Sequence, residues 1–506
     1  MMLSKWRVNL LIAILFGAAG LIFYRLFYLT YLQHDALIKI AEGQYQNQKE
    51  SSARRGSIFV QDLSTGEKQR ITLQKSYSYI FSKKEGRFKV VDKNPSPEEV
   101  ERIRQLNDQE LNIGYEDRRY YPEGSFLSHV LGFLGFEGDK RTGQYGLESF
   151  YDQAIRSEED LILTIDKNIQ TFAEKELDEL MDKWNPSSGT IIIQDPQTGA
   201  ILAMAGSPSF DPNNYGQYPL ENFVNKAVQE AFEPGSSFKP ITMSGALDQK
   251  KVTPQTSYFD TGEVDLAGYK IKNFNEKSFG YQTMAQVLEK SLNLGAMFVE
   301  NQLGDDNFLN YVINFGFGQV TGIDLAGETV GDVSNLYSRR KINFATASFG
   351  QGISVTPIQL INAYSAIANG GKLMKPFVVK EIVGAGGEKK ETRPEVIGTP
   401  ISEKTSSQMK AMLVGVVENG FDKAAVSGYD VAGKTGTAQV ASPTGGYSDE
   451  FIHDIVGFAP AFSPRFVVLI KLEKPRGIKF ASDSLSPSLG KITRFLLNYF
   501  QIPPTR

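Results

Sequence analysis

The chain has 506 residues, 41% apolar and 22% charged, with a formal net charge of −4; this is a globular composition with room for two or three domains, which excludes disordered and fibrous classes. Lysine and arginine form no long run, so nucleic acid is not an expected partner. Cysteine is absent and the three histidines, His34, His129 and His453, are scattered, so disulfides, thiol catalysis and thiolate metal sites are excluded, no metal or other cofactor is expected, and oxygen or amine nucleophiles must carry any chemistry.

Leu10 to Tyr24 is free of charge, and with its flanks up to Leu32 the hydrophobic segment covers about 25 residues, enough to cross ~30 Å of hydrocarbon as a helix. Lys5 and Arg7 precede it, while Trp6, Tyr24, Tyr28 and Tyr31 suit the two interfaces of a lipid bilayer. The positive-inside rule then predicts a single-pass protein of the cell membrane, with a cytoplasmic N-terminus and an extracytoplasmic remainder. A cleaved signal peptide is the alternative; the small residues Gly17 to Gly20 lie inside the segment rather than after it, which favours a retained anchor. Residues 1–33 are thus read as a short tail and transmembrane helix.

Residues 34–184 read as a polar, loop-rich module. It carries candidate strands at "SYSYIFS" and "GRFKVV" and a helix at "SPEEVERIRQLN" capped by Ser96. At its end, "LILTIDKNIQTFAEKELDELMDKW" joins a strand to an amphipathic helix with Ile169, Phe172, Ala173, Leu177, Leu180 and Met181 at helical spacing. "NPSSG" at 185–189 breaks that helix, and the second domain is placed at 185–506. It opens with "TIIIQDPQTGAILAMAGSP", two apolar strands around a Pro/Gly turn. A largely helical middle follows, with one helix marked by Thr356 as N-cap, Pro357 at the first position, Gln359 completing a capping box, and Asn369-Gly370-Gly371 as the stop. Two late strands, "HDIVGFAPA" and "RFVVLIKLE", precede a terminal helix at "LGKITRFLLNYF". The expected fold class is α/β of the α+β kind, an antiparallel sheet with helices packed against it.

The chain contains four Ser-x-x-Lys pairs: Ser236/Lys239, Ser338/Lys341, Ser407/Lys410 and Ser488/Lys491. Pro240 separates the first, because proline is tolerated only near a helix start, so the helix must begin at about Ser236. Ser236 then lies at the N-terminal end, with Lys239 one turn on and on the same face. That setting suits an alkoxide nucleophile with a neutral amine base, the alternative being a Ser cap beside a solvated lysine. Ser291-Leu292-Asn293 is the only Ser-x-Asn, and Lys434-Thr435-Gly436 the only Lys-Thr-Gly. In this order the three motifs form the set found in serine β-lactamases and penicillin-binding proteins. "YDVAGKTGTAQVA" alternates as a strand, placing Thr435 and Thr437 on one face, and Gly436 would let a substrate backbone approach closely.

Carrying these motifs in this order, the sequence resembles the class B penicillin-binding proteins. The signatures run from about residue 119: "RYYPEGSFLSHVLGFLG", "QYGLESFYD", "LTIDKNIQ", "DPQTGAILAMAGSPSFDPNNY", "FEPGSSFKP", "SLNLG", "FATASFGQGISVTPIQLINAYSAIANGGK" and "VAGKTGTAQ". "RRGSIFVQD" resembles the start of the family's pedestal module, although the stretch from there to 119 is shorter than usual. The resemblance implies a penicillin-recognising transpeptidase domain at 185–506 behind a pedestal of the dimerisation type at 34–184. It implies a D,D-transpeptidase that crosslinks peptidoglycan: Ser236 is acylated by the D-Ala-D-Ala end of a stem peptide, with Lys239 as base. Ser291 relays a proton to the leaving D-alanine, Asn293 holds the substrate amide, Lys434 supplies positive potential, and Thr435, Gly436 and Thr437 bind the substrate end, the two threonines its carboxylate. The N–H groups of Ser236 and Thr437 form the oxyanion hole. β-Lactams are implied ligands. Nothing resembles a glycosyltransferase domain, so the implied partner is a polytopic membrane glycosyltransferase of the shape, elongation, division and sporulation type. "ASFGQGISVTPIQL" is closer to the septal than to the rod-elongation type.

The other readings are a D,D-carboxypeptidase or β-lactamase-type serine hydrolase, and a non-enzymatic scaffold that activates a glycosyltransferase. A Ser-His-Asp hydrolase lacks its Gly-x-Ser-x-Gly, and His129 in "SHVLGFLG" is read as a packing residue. "SPSFDPNNYGQYP" (207–219) is either an acceptor-side lining or a surface loop. "GFGQVTGIDLAGE" is a turn-rich connection whose glycines match no nucleotide fingerprint. Ser237, off the face that Ser236 shares with Lys239, is read as incidental.

Overall fold

The computed structural model describes residues 5–28, 54–84, 87–106, 110–137, 140–274, 277–441 and 446–506. They form two compact units. The smaller comprises Ser76–Arg118, Phe136–Arg141 and the chain up to Arg54; the larger comprises Arg55–Lys75, Arg119–Gly135 and Thr142–Arg506.

In the smaller unit the helix expected after Ser96 runs over Pro97–Leu106 and buries Val100 and Ile103, three residues apart on one face. Ser96 and Glu99 form a reciprocal box: the Glu99 N–H donates to Ser96 Oγ (3.1 Å) and the Ser96 N–H to Glu99 Oε2 (3.2 Å), which satisfies two N–H groups the helix start leaves open. The two expected strands fall within Leu73–Lys84 and Arg87–Asp92, paired antiparallel. A helix also forms at Lys5–Phe27. Arg7 and Arg25 bound its uncharged stretch and stand about 27 Å apart along a helix. Among the described residues no helix is long and apolar enough to cross a membrane. The remainder of the expected span, residues 29–33, and the start of the module at 34–53 lie outside the described residues.

The larger unit is built on a five-stranded antiparallel sheet of β1 (Ser188–Gln194), β2 (Ile201–Ser207), β3 (Ala432–Ala441), β4 (Tyr447–Ala459) and β5 (Phe466–Glu473). Their order is β2-β1-β5-β4-β3, so β3, which carries Lys-Thr-Gly, is an outer strand. β1 is buried along its whole length and reads Ile191-Ile192-Ile193 at its centre, as a strand covered on both faces must. α1 (Lys167–Trp184) packs on β2 and β1, and α6 (Ala481–Tyr499) on β4 and β5. On the other face lies the helical middle: α2 (Lys239–Asp248), α3 (Asn293–Leu303), α4 (Pro357–Ala368) and α5 (Glu403–Gly420).

The capping box of α4 forms as the sequence predicts, with Thr356 Oγ1 accepting from the Gln359 N–H and Gln359 Oε1 from the Thr356 N–H. All twelve residues of α4 are buried. α6 starts eight residues earlier than expected, at Ala481, and holds Pro487 inside it. Burial of Ala481, Leu485, Leu489, Ile492 and Leu496 along one stripe offsets the lost hydrogen bond. A second sheet departs from the antiparallel expectation, because Ile58–Gln61 runs parallel to Asp160–Asp166. Within the 207–219 segment a 3-10 turn forms over Pro212–Gln217. Phe210 and Tyr215 there join Phe133 and Phe223 in an aromatic cluster.

Candidate active site

The chain around Ser236 winds in two steps: a 3-10 turn at Gly235–Phe238, then α2 from Lys239, with Pro240 in its first turn. This is the placement the proline demands. Gly235 has φ +57° and donates its N–H to the Gly350 carbonyl (3.0 Å). An ideal Cβ on Gly350 would lie 2.1 Å from the Gly235 carbonyl oxygen, so two glycines let two loops meet backbone to backbone.

Ser291 lies in the left-handed region, at φ +55°. A serine rarely adopts that conformation, and it costs on the order of 1 kcal/mol. The strain turns the chain between the helix Met284–Glu289 and α3, whose first residue is Asn293. Both polar groups of the motif then face Lys239.

Lys239 Nζ lies 3.0 Å from Ser236 Oγ, and donates to the Ser291 carbonyl (2.5 Å) and to Asn293 Oδ1 (2.8 Å). Ser291 Oγ is 3.3 Å from Lys239 Nζ and accepts from Lys434 Nζ at 3.0 Å. Lys434 also donates to the Thr435 carbonyl (3.1 Å). The Asn293 amide is engaged at both ends, since its Nδ2 donates to the Lys272 carbonyl (2.9 Å). Both lysines are 1% exposed. Burial, and then the positive charge of Lys434, push Lys239 well below the ordinary lysine range. Burial lowers Lys434 to about 8, against the charge of Asp454, which raises it.

A neutral lysine has two hydrogens and one lone pair. With the hydrogens on the Ser291 carbonyl and Asn293 Oδ1, the lone pair faces Ser236 Oγ. That is the arrangement a base needs to take a hydroxyl proton. None of the other three Ser-x-x-Lys pairs shows a Ser–Lys hydrogen bond among the described residues; Lys341 pairs with Asp305 (2.8 Å) and Lys491 with Glu179 (2.8 Å).

Ser236, Lys239, Ser291, Asn293 and Lys434 are therefore brought together. On β3 alternation turns Lys434 and Gly436 toward the helical middle, and Thr435 and Thr437 to the opposite face, where both are partly exposed. Thr437 Oγ1 accepts from the Ala481 N–H at the start of α6 (3.1 Å). Gly436 also has a packing reason. An ideal Cβ there would lie 2.1 Å from Asp454 Oδ2 and 2.4 Å from the Pro234 carbonyl oxygen. The missing side chain makes room for Asp454 and the Pro234 carbonyl beneath the strand.

Three contributors were missed. Tyr364 on α4 donates its hydroxyl to the Ser237 carbonyl (2.6 Å), and Ser237 Oγ donates to the Pro234 carbonyl (2.8 Å), so Ser237 braces the turn from below. Glu233 accepts from the Gly352 N–H (3.1 Å) and the Tyr447 hydroxyl (3.0 Å); burial raises its carboxyl. Asp454 had a signal in the sequence, a lone acid in the apolar run "IHDIVGFAPA".

His129 is a packing residue. It is buried edge-on against Phe210 with ring centres 5.6 Å apart, and burial holds it at about 4.

Residues 189–493 match the penicillin binding protein transpeptidase domain, and residues 23–178 the penicillin-binding protein dimerisation domain. The chain belongs to the class B penicillin-binding proteins. This penicillin-binding protein is 35% identical to stage V sporulation protein D of Bacillus subtilis over 445 residues, 81% of this chain and 68% of the relative. It is 30% identical to the peptidoglycan D,D-transpeptidase FtsI of Escherichia coli over 462 residues, 86% and 76% of the two chains. Among solved structures it resembles penicillin binding protein 3 of Mycobacterium tuberculosis in complex with aztreonam, with a TM-score of 0.75 and 27% identity over 90% of this chain and 98% of that one. The membership accords with the mixed fold and the antiparallel sheet, and with an enzyme of the transpeptidase type.

Proposed function

We propose that this penicillin-binding protein crosslinks peptidoglycan stem peptides by acyl transfer through Ser236. The observation that carries the reading is Lys239: a buried amine, 3.0 Å from Ser236 Oγ, whose hydrogens have other acceptors. Ser236 attacks the D-alanyl-D-alanine carbonyl as Lys239 takes its proton. The N–H groups of Ser236 and Thr437 receive the developing oxyanion, where loss of one donor costs about 3 kcal/mol of transition-state stabilisation. Ser291, joined to both lysines, passes the proton to the leaving D-alanine. Asn293 holds the substrate amide. Lys434 sets the potential, Thr435 and Thr437 bind the substrate carboxylate, and Gly436 acts through the packing it permits beneath them. An amine of a second stem peptide then takes the acyl group.

The wider reading follows the same lines. Residues 1–33 attach the chain to the membrane with the catalytic part outside, residues 34–184 serve as pedestal, and residues 185–506 catalyse. The protein works beside a polytopic membrane glycosyltransferase, in septal rather than side-wall synthesis. β-Lactams acylate the same serine.

Fluorescent penicillin tests the core of the proposal. A covalent adduct that disappears in Ser236→Ala supports it; absence of any adduct on folded wild-type protein defeats it. A donor ending in D-Ala-D-Ala with an added amine acceptor separates the classes, since crosslinked product marks a transpeptidase and hydrolysis alone a carboxypeptidase. Membrane fractionation of the full chain tests attachment, and midcell rather than side-wall fluorescence of a tagged copy tests the septal role.

A further inference from the structure

Directly beneath the Ser236 turn lies a carboxyl group with no part in the steps above. Asp454 on β4 stands opposite Gly436 on β3 and opposite Lys471 on β5, so the three occupy one cross-strand row on the sheet face that meets the helical middle. Asp454 is 0% exposed, and neither carboxyl oxygen has a hydrogen-bond partner among the described residues. Such a group is costly to bury unless a charge faces it.

The groups around it come from four elements. From β5, Lys471 is already held by Glu473 and by Glu230 (3.7 Å), with its ammonium 4.8 Å from the centre of the Phe232 ring. From the turn, the Ser237 hydroxyl, which donates to the Pro234 carbonyl, also faces the carboxyl and lowers its pKa. From α4, the Tyr364 hydroxyl is on the Ser237 carbonyl. From β3 comes Lys434, two residues before Gly436 and on the same face, hence a diagonal neighbour of Asp454. Its hydrogen-bond partners are neutral, Ser291 Oγ and the Thr435 carbonyl.

We infer that Asp454 is the counter-charge of Lys434: a positioning residue that never touches substrate but holds the Lys434 ammonium in place beside Ser291, through the gap that Gly436 leaves in β3. The inference rests on the acyl-serine reading and adds a layer to it. The charge of Lys434 is in turn one cause of the depressed Lys239, so Asp454 acts on the base at one remove. Burial pushes the Asp454 carboxyl to about 7, and its charge raises Lys434, which stands at about 8. The two groups thus titrate close together, and the pH at which Lys434 loses its proton depends on Asp454.

The test is the pH profile of the second-order rate of acylation by fluorescent penicillin, for wild type and the isosteric Asp454→Asn. The alkaline limb of the variant is expected to move to lower pH by about 1 unit, the low end of what an adjacent opposite charge produces. A variant slowed by one constant factor at every pH, or not slowed at all, has an unmoved limb and overturns the inference. Wild-type protein that fails to acylate overturns the underlying reading instead. If Asp454→Asn does not fold, infrared titration of protein carrying 13C-labelled aspartate replaces it. The carboxyl band that titrates near neutrality should move to higher pH in Lys434→Met, and a band that stays where it was refutes the coupling.

Discussion

Gly436→Ala puts a methyl group where there is no space. The new carbon would stand 2.1 Å from Asp454 Oδ2 and 2.4 Å from the Pro234 carbonyl oxygen, against 3.4 Å or more in an ordinary contact. About 1 Å of movement is therefore needed on two sides. The Asp454 carboxyl can rotate, but Pro234 is backbone two residues before Ser236, and its carbonyl accepts the Ser237 hydroxyl. Relief must shift the turn that carries the nucleophile. Overpacking of this kind costs about 1–3 kcal/mol, which lowers the melting temperature by roughly 2–6 °C. Displacing a nucleophile by about 1 Å from its base costs about 10²-fold in rate. Calorimetric melting and the rate of acylation by fluorescent penicillin measure both effects. A Gly436→Ala protein that melts and acylates like wild type refutes the reasoning and leaves substrate approach as the reason for the glycine.

Tyr364→Phe strands the Ser237 carbonyl, whose partner is the Tyr364 hydroxyl at 2.6 Å; a loss of about 1–3 kcal/mol in denaturant unfolding is expected, with little change in shape. Glu148 is fully buried between Arg55 (2.8 Å) and Arg119 (2.7 Å), so Glu148→Gln leaves two buried guanidinium groups undercompensated and should cost about 3–5 kcal/mol by the same assay. His129 and His453, both held at about 4 by burial, have folded values below the unfolded one. Each contributes stability that is present above about 6.5 and lost as pH falls toward 4, up to about 3 kcal/mol apiece. Asp454 and Glu300, both raised to about 7, act in the opposite sense over that interval, so the check is differential: His453→Gln should flatten the acid loss of stability relative to wild type between pH 6.5 and 4.

The nucleophile, its base and the secondary structure near them were legible because each had a local cause. Pro240 restricts where a helix can start, Thr356 and Gln359 cap one another across a single turn, and strand alternation assigns Lys434 and Thr435 to opposite faces. These are interactions over one to four residues, which the order of the chain contains. Order alone also singled out Ser291 and Asn293, as one tripeptide between two others. What it lacked was the path that brings Ser291 against Lys239, 52 positions away, and the left-handed turn that makes the approach possible.

Tertiary structure decided the layer beneath the site. Gly436 suggested space for a ligand, and only the pairing of β3 with β4 showed that Asp454 fills the gap. Ser237 looked incidental until α4 brought Tyr364 to its carbonyl. α6 could begin before Pro487 because a buried stripe against β4 offsets what the proline removes. Such features depend on which side chains meet across a sheet or between layers, and on the loss of water there. Local propensity carries no record of either, so the chain itself gave the reacting groups, while the fold set their charge states and the packing that holds them.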